Sequence, residues 1–257
     1  MIGRAARAFN LSGWLVILVV IGLWQLVVGT RLVHFTYLPS PAQVVTAFGN
    51  LHDLGSAIGH TLEVTLLASV ISVVGGVILG GAIGLVAVVG KYSLASIDVL
   101  RSIPVTALMP IALLIWGTST KTEVIVATYS ALWLMLLNTV GGVQAMNPRL
   151  HDVAATFQLT RLDVFRKLIL PSAMPSILIG ARLAIIGALI VAIIGEILVN
   201  PEGLGWQLIA AQQALQPAEM WAYVIIIGIL GMACNSLLVR AVRGAMPGGL
   251  DAAWEAQ

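Results

Sequence analysis

Ionisable side chains are rare in this sequence, and their positions limit the chemistry that it can perform. Two of them, Arg182 and Glu196, fall inside one long apolar stretch, where each requires a polar partner or contact with water. The fourteen residues between them correspond to about 21 Å along a straight helix, so the two do not pair there. For Arg182, structural pairing and a place on a transport pathway remain open. Glu196 is a candidate for a gate or pathway position.

Metal, redox and nucleotide chemistry lack their usual patterns here. The four histidines show no tight ligand spacing, which favours surface or packing roles. The single cysteine, Cys234, permits neither an internal disulfide nor a cysteine metal site. The only Gly-Lys pair, Gly90-Lys91, is followed by Tyr92 and has Leu85 where the Walker pattern needs glycine. We therefore expect no catalytic residue, cofactor or metal in this chain.

The elements that position these residues belong to a membrane protein. Hydrophobic residues make up 59% of the 257 residues and charged residues only 9%, unlike a soluble domain. Because no long polar or Pro/Gly/Ser-rich linker divides the sequence, we expect one transmembrane domain over residues 1–257. The net charge of +2 is too small to indicate nucleic-acid binding, and membrane lipid is the expected environment.

Six apolar segments are predicted to span the membrane, since a spanning helix needs about 20 mostly apolar residues. They cover approximately residues 12–29, 60–89, 103–117, 123–146, 175–199 and 221–239. The third is short and contains Pro104 and Pro110, which suggests a kinked helix packed inside the bundle. The expected fold is an all-α membrane protein. A short helix is also expected in the connection 200–220, which contains Gly203-Leu204-Gly205.

The distribution of Lys and Arg predicts the orientation, because positively charged loops remain on the cytoplasmic side. With the N-terminus inside, only Arg31 and Lys121 face outward and Arg182 lies within a span. The other basic residues then face the cytoplasm: Arg4, Arg7, Lys91, Arg101, Arg149, Arg161, Arg166, Lys167, Arg240 and Arg243. Both termini are therefore predicted to be cytoplasmic.

Small and polar residues within the predicted spans leave two further interpretations open. Gly76, Gly80 and Gly84 fall four apart and form a groove for a second helix, either within the chain or at a seam between two copies. Asn138 and Gln144 suit a polar translocation path or hydrogen bonds between helices equally well.

The charged connection 147–174, cytoplasmic in this orientation, has the chemistry of a docking element. A short helix is expected after Asp152, whose carboxylate favours a helix N-terminus. The apolar side chains of Phe157, Leu162 and Phe165 suit a groove on a partner protein. Pro171 and Pro175 are expected to end this local helix and set the entry into the fifth span.

This connection resembles the EAA loop of permeases from binding-protein-dependent ABC importers. That loop reads Glu-Ala-Ala, three residues, Gly, nine residues, then Ile-x-Leu-Pro, and the end matches well as Leu168-Ile169-Leu170-Pro171. Further stretches are similar to the branch of sulfonate, taurine, nitrate and pyrimidine-precursor permeases: Leu38-Pro39-Ser40-Pro41, Arg101-Ser102-Ile103-Pro104, residues 137–143, residues 180–184, Glu196 and Gly203-Leu204-Gly205. Together the stretches extend over nearly the whole chain.

The start of the loop departs from the family pattern. Its first two positions hold Asp152 and Val153, the third keeps alanine as Ala154, and the usual glycine is replaced by Gln158. A glycine there permits a left-handed turn or a close approach of the partner, which glutamine normally tolerates poorly. The geometry of coupling is therefore less well defined by the sequence than the fold.

The resemblance implies a type I importer permease at the bacterial inner membrane. Its partners would be two cytoplasmic ATPase subunits, a second permease copy and an external substrate-binding protein, and ATP and Mg would be bound by the ATPase. The implied coupling residues are Asp152, Ala154, Phe157, Gln158, Leu162, Phe165 and Pro171, and the candidate path or gate residues are Asn138, Arg182 and Glu196. The rival is an ion-coupled secondary transporter, whose usual midplane ion ligands and internal repeats we do not find in the sequence.

Overall fold

The computed structural model describes residues 11–30, 37–145 and 156–245, and the regular structure within them is entirely helical. We number the α-helices in chain order as α1 Leu11–Gly29, α2 Pro41–Ala47, α3 Leu54–Leu85, α4 Ala87–Arg101, α5 Val105–Trp116, α6 Thr120–Gln144, α7 Arg161–Val164, α8 Leu170–Leu198, α9 Gly203–Gln213 and α10 Pro217–Ala245. A π-helical turn, Phe165–Ile169, joins α7 to α8. The all-α fold class is confirmed.

Among the described residues, four helices are long and apolar enough to cross a membrane. They are Leu54–Leu85, Thr120–Gln144, Leu162–Leu198 and Pro217–Arg240, the third including the π-helical turn. A bent pair, Val88–Arg101 with Val105–Trp116, passes the same test as one unit, and the apolar part of α1, Gly13–Gly29, is shorter. Length and composition thus support four spans, or five with the bent pair, and the number six remains a prediction.

The predicted third span differs most from the structure. Its helix, α5, has only 12 residues, fewer than the roughly 20 that cross a bilayer. Between α4 and α5 the chain bends by 80°. Pro104 lies at the N-cap of α5, where its missing N–H removes no intrahelical hydrogen bond. The bend therefore lies before the helix, and Pro110 is accommodated inside α5.

Contacts between residues divide the chain into two compact units. Of the described residues, one unit contains those up to Leu54 together with Gln207–Ile227, and the other contains those of Gly55–Trp206 together with those from Gly228 onward. In the first unit, Trp24 and Trp221 place their ring centroids 5.5 Å apart. This aromatic pair lies beside a small core of Val44, Ala47 and Ala222.

The core of the second unit lies mainly between α6 and α8, which pack along much of their lengths. Small side chains make this close approach possible. Fully buried alanines contribute to it from both helices: Ala127, Ala131, Ala184 and Ala188. Met109 of α5 and Met135 of α6 are also fully buried and fill larger gaps in the same core.

The glycine groove of α3 packs against α6 of the same chain. A Cβ atom added to Gly76 would lie 2.6 Å from the Cβ of Met135, and one added to Gly84 would lie 2.8 Å from the Cβ of Val143. A Cβ on Gly80 would lie 2.6 Å from the backbone oxygen of Leu136. Of the two interpretations that the sequence left open, packing within the chain accounts for these glycines.

Candidate functional site

The described part of the predicted docking connection presents apolar side chains to solvent. Phe157 is 71% exposed, Leu162 57% and Phe165 36%. Asp152 and Ala154 lie outside the described residues. The three exposed side chains flank a stabilised helix start, because the Thr160 hydroxyl donates to a carboxylate oxygen of Asp163 at 2.6 Å and accepts from its backbone N–H at 3.2 Å. The connection therefore offers an ordered apolar surface.

Gln158 occupies a left-handed turn immediately before this helix start. Its φ angle is +49°, in the region where glycine is favoured and other residues are strained. The backbone thus keeps the turn that the family glycine permits, although the side chain is glutamine. Glutamine therefore adopts the left-handed turn, and the expected disadvantage relative to glycine is a cost in conformational energy.

Neither Pro171 nor Pro175 ends the local helix, contrary to the prediction, and Pro175 lies inside α8. The helical segment runs continuously from Arg161 through the π-helical turn into α8, where Pro171 lies in the first turn. In a regular α-helix the proline ring would clash with the carbonyl of Lys167, four residues earlier. The wider turn relieves this conflict, and the N–H of Leu170 donates to the carbonyl of Phe165 instead.

Two of the three candidate path residues are only partly buried. Asn138 lies beside an open cavity of about 250 Å³, together with Leu137, Gly141, Gly142 and Ser176. Its side-chain amide donates to the backbone oxygen of Leu134 at 2.7 Å. Arg182 is half-buried on α8.

Glu196, the third candidate, is fully buried near the end of α8. One carboxylate oxygen accepts a hydrogen bond from the Thr61 hydroxyl at 2.7 Å, and the other accepts from the backbone N–H of Gly205 at 2.7 Å. Gly203 has a φ of +85°, and a side chain on it would collide with the Glu196 carboxyl. Glu196 therefore holds the Gly203-Leu204-Gly205 turn against α3, at the start of α9.

Next to Glu196 lie two residues that sequence reasoning missed as site residues. Glu123, in the first turn of α6, is fully buried, and its Oε2 lies 2.9 Å from Nε2 of His60 on α3. The other ring nitrogen of His60, Nδ1, lies 3.1 Å from a carboxylate oxygen of Glu202. We call His60, Glu123 and Glu196 the carboxylate cluster, because one ligand atom from each lies within 4.8 Å of the others.

No local pattern in the sequence points to this cluster. His60 and Glu123 are 63 positions apart and meet only because α3 and α6 pack at the same end. An acidic residue such as Glu123 in the first turn of a helix is also explained by the helix dipole. The one sequence signal that could have indicated the burial of Glu123 is its position at the start of a predicted apolar span.

Similarity to known proteins identifies the family of this chain. Residues 72–245 match the family described as the binding-protein-dependent transport system inner membrane component. The chain belongs to this family. As a member, it is a multi-pass inner-membrane permease, and the ion-coupled alternative is not supported.

The permease is similar to several named relatives. It is 28% identical to the putative aliphatic sulfonates transport permease protein SsuC of Bacillus subtilis, over 89% of this chain and 84% of that protein. It is 24% identical to the nitrate import permease protein NrtB of Synechococcus elongatus, over 92% and 86%. It is 28% identical to the formylaminopyrimidine transport permease protein ThiX of Halalkalibacterium halodurans, over 89% and 91%.

The permease fold is also present among solved structures. A chain of the inward-facing MetNI methionine ABC transporter aligns with a TM-score of 0.59 and 20% identity, over 74% of this permease and 95% of that chain. The predicted resemblance to importer permeases of the sulfonate, nitrate and pyrimidine-precursor branch is thus confirmed for family and fold.

Proposed function

We propose that this permease forms the translocation path of an ATP-driven importer for a small solute. The relatives are named for aliphatic sulfonates, nitrate and formylaminopyrimidine, which supports a small anion or a small heterocycle as the substrate class. An external binding protein delivers the substrate. A second permease copy completes the path, and two cytoplasmic ATPase subunits bind ATP and Mg²⁺. Residues 1–257 act as one transmembrane permease domain.

Residues 152–171, the coupling segment, dock on the ATPase in this proposal. The observation that carries it is the 71% exposure of the Phe157 ring, next to the left-handed turn at Gln158. An exposed aromatic side chain on an ordered turn suits insertion into a partner's apolar groove. Leu162 and Phe165 extend the same contact, Asp152 and Ala154 begin it, and Pro171 lies where it passes into α8. Movement of the ATPase then reaches the spanning helices through a packed element.

Residues on the path and gate complete the proposal. Asn138 contributes its side-chain amide to the path at an open cavity. Arg182 presents a positive charge on α8, which suits an anionic substrate. Glu196 acts at a gate, because it holds the start of α9 through Gly205.

Substituting the exposed aromatic residue tests the coupling. In liposomes that contain the permease, its ATPase and its binding protein, we expect Phe157→Asp to reduce ATP hydrolysis stimulated by the binding protein at least tenfold. The reason is that an unpaired carboxylate in an apolar groove costs several kcal/mol, and each 1.4 kcal/mol weakens docking about tenfold. Phe165→Asp is expected to act in the same direction.

The matched control is Phe157→Leu, which keeps an apolar side chain and should retain most of the stimulated hydrolysis. Both variants should reach the membrane in wild-type amounts, since the exposed ring supports no internal packing. Full stimulated hydrolysis by Phe157→Asp, with normal amounts of ATPase bound, would remove this segment from the coupling mechanism.

A further inference from the structure

With both buried carboxyl groups ionised, the carboxylate cluster would hold more negative charge than its own side chains neutralise. Glu123 and Glu196 are both fully buried, and His60 has a side chain that is 10% exposed. The ion pairs recorded at this cluster, to Glu123 and to Glu202, both involve His60. Burying charged carboxylates without a compensating cation is costly. A single imidazolium balances only one of the carboxylates around it.

Hydrogen bonding at His60 leads to the same conclusion. Nε2 faces Glu123 at 2.9 Å and the Asn200 amide nitrogen at 3.3 Å, and Nδ1 faces Glu202 at 3.1 Å. A neutral imidazole carries one N–H, so either tautomer leaves a nitrogen lone pair facing a carboxylate. These groups therefore share either a proton, on His60 or on a carboxyl group, or a bound cation.

A proton on His60 leaves one buried oxygen of the cluster without a hydrogen bond. Both N–H groups of an imidazolium are used by Glu123 and Glu202, while the oxygens of Glu196 accept from Thr61 and Gly205. The remaining atom is Oε1 of Glu123, which is buried and accepts no hydrogen bond of good geometry from the described residues, although the Asn200 side chain lies near this carboxylate. Such an orphaned buried oxygen is expensive unless something binds it.

We propose that His60, Glu123 and Glu196 bind a divalent transition-metal ion of the zinc type. One ligand atom from each lies within 4.8 Å of the others, and a single imidazole with two carboxylates suits zinc and similar ions. The cation takes the free oxygen of Glu123 and neutralises both buried carboxylates. The group contains no cysteine, so its ligand atoms are nitrogen and oxygen alone.

The surroundings of the three ligands match those of metal sites. Metal-binding histidines usually donate their second ring N–H to a carboxylate, and Glu202 is placed to accept it from Nδ1 of His60. Thr61 and the Gly205 N–H orient Glu196 in the same way. Glu202 is itself 63% exposed, which gives an ion a route from solvent.

The bound ion would join three helices at one end of the second unit. His60 belongs to the second turn of α3, Glu123 to the first turn of α6 and Glu196 to the last turn of α8. Since Glu196 also holds the start of α9, metal binding would rigidify the turn at Gly203-Leu204-Gly205.

Equilibrium dialysis against Zn²⁺, with metal analysis of the tag-free permease in lipid nanodiscs, tests the site. We expect one zinc ion per chain, a loss of at least tenfold in affinity in Glu123→Gln and in His60→Gln, and a loss of about tenfold in Glu202→Gln. X-ray absorption at the zinc edge should show nitrogen and oxygen ligands at about 2.0–2.1 Å and no sulfur at about 2.3 Å.

Matched controls separate the site from surface binding. His52→Gln and Glu63→Gln remove an exposed histidine and an exposed carboxylate near the same helix start, and both should retain wild-type affinity. A zinc-dependent rise in unfolding temperature should occur in these controls and be absent in Glu123→Gln. Equal zinc affinity in wild type and Glu123→Gln would overturn the proposal. The absence of zinc binding to wild type would do the same, and would leave the cluster to protons alone.

Discussion

Gln158 and Glu196 of this permease show how the local environment of a residue affects its conformational energy. Gln158 adopts a φ of +49° although its side chain offers no advantage in that region. Glu196 is fully buried because Thr61 and the Gly205 N–H satisfy both of its oxygens. The backbone of Gln158 is therefore strained, whereas the carboxylate of Glu196 has a hydrogen-bond donor at each oxygen.

Replacing the strained residue should stabilise the permease. A residue other than glycine in the left-handed region costs about 1–2 kcal/mol, part of which glycine loses again through its greater freedom in the unfolded chain. We expect Gln158→Gly to raise the unfolding midpoint in detergent by about 2 °C. Scanning fluorimetry measures this change.

The control for this prediction is Gln207→Gly, in the interior of α9. Glycine in a helix interior is less favourable by about 1 kcal/mol, so the midpoint should fall there. A lower midpoint in Gln158→Gly as well would contradict the assignment of strain to Gln158.

Helices of this permease approach one another closely where side chains are small. Gly80 of α3 lies against the backbone oxygen of Leu136, where a Cβ would come within 2.6 Å. Its neighbour, Gly81, has no such contact within 4 Å. Apolar burial drives helix association weakly in lipid, so close packing of this kind contributes much of the stability.

The pair of adjacent glycines predicts opposite outcomes for the same substitution. Gly80→Ala forces α3 away from α6 and should destabilise the permease by about 1–3 kcal/mol. Gly81→Ala adds a methyl group in open space and should be neutral or slightly stabilising. Chemical unfolding in mixed micelles, followed by tryptophan fluorescence, compares the two. Equal destabilisation by both variants would contradict the close contact at Gly80.

At the scale of the whole molecule, the main prediction is orientation. The Lys and Arg distribution predicts that both termini are cytoplasmic and that Lys121 is outside. Glu123, Glu196 and the Gly203-Leu204-Gly205 turn belong to the same end as Lys121, since Lys121 and Glu123 share the first turn of α6. The carboxylate cluster would then lie toward the external side.

Labelling of introduced cysteines tests this orientation. In a Cys234→Ser background, we expect Lys121→Cys to react with a membrane-impermeant maleimide added to intact spheroplasts, because its side chain is exposed. Gln257→Cys, at the predicted cytoplasmic C-terminus, should react only after the membrane is permeabilised. The reversed pattern would invert the orientation, and reaction of both in intact spheroplasts would place the C-terminus outside.

The amino-acid sequence alone determined the features that depend on composition and short patterns. Hydropathy predicted the apolar helices α1, α3, α6, α8 and α10, and the Leu168-Ile169-Leu170-Pro171 motif predicted the permease family. Both signals are local, because the motif occupies four residues and a membrane-spanning segment occupies about 20. The helix in the connection 200–220 was predicted in the same way.

Only the tertiary structure decided where distant residues meet. It replaced the break expected at Pro171 with a π-helical turn, because the i→i+5 pattern removes the proline clash. It moved the third predicted span into a bent pair at Pro104. It also brought His60 and Glu123 to Glu196 across 136 residues of sequence. These contacts are determined by helix packing, which depends on the whole chain. Local sequence periodicity therefore does not predict them.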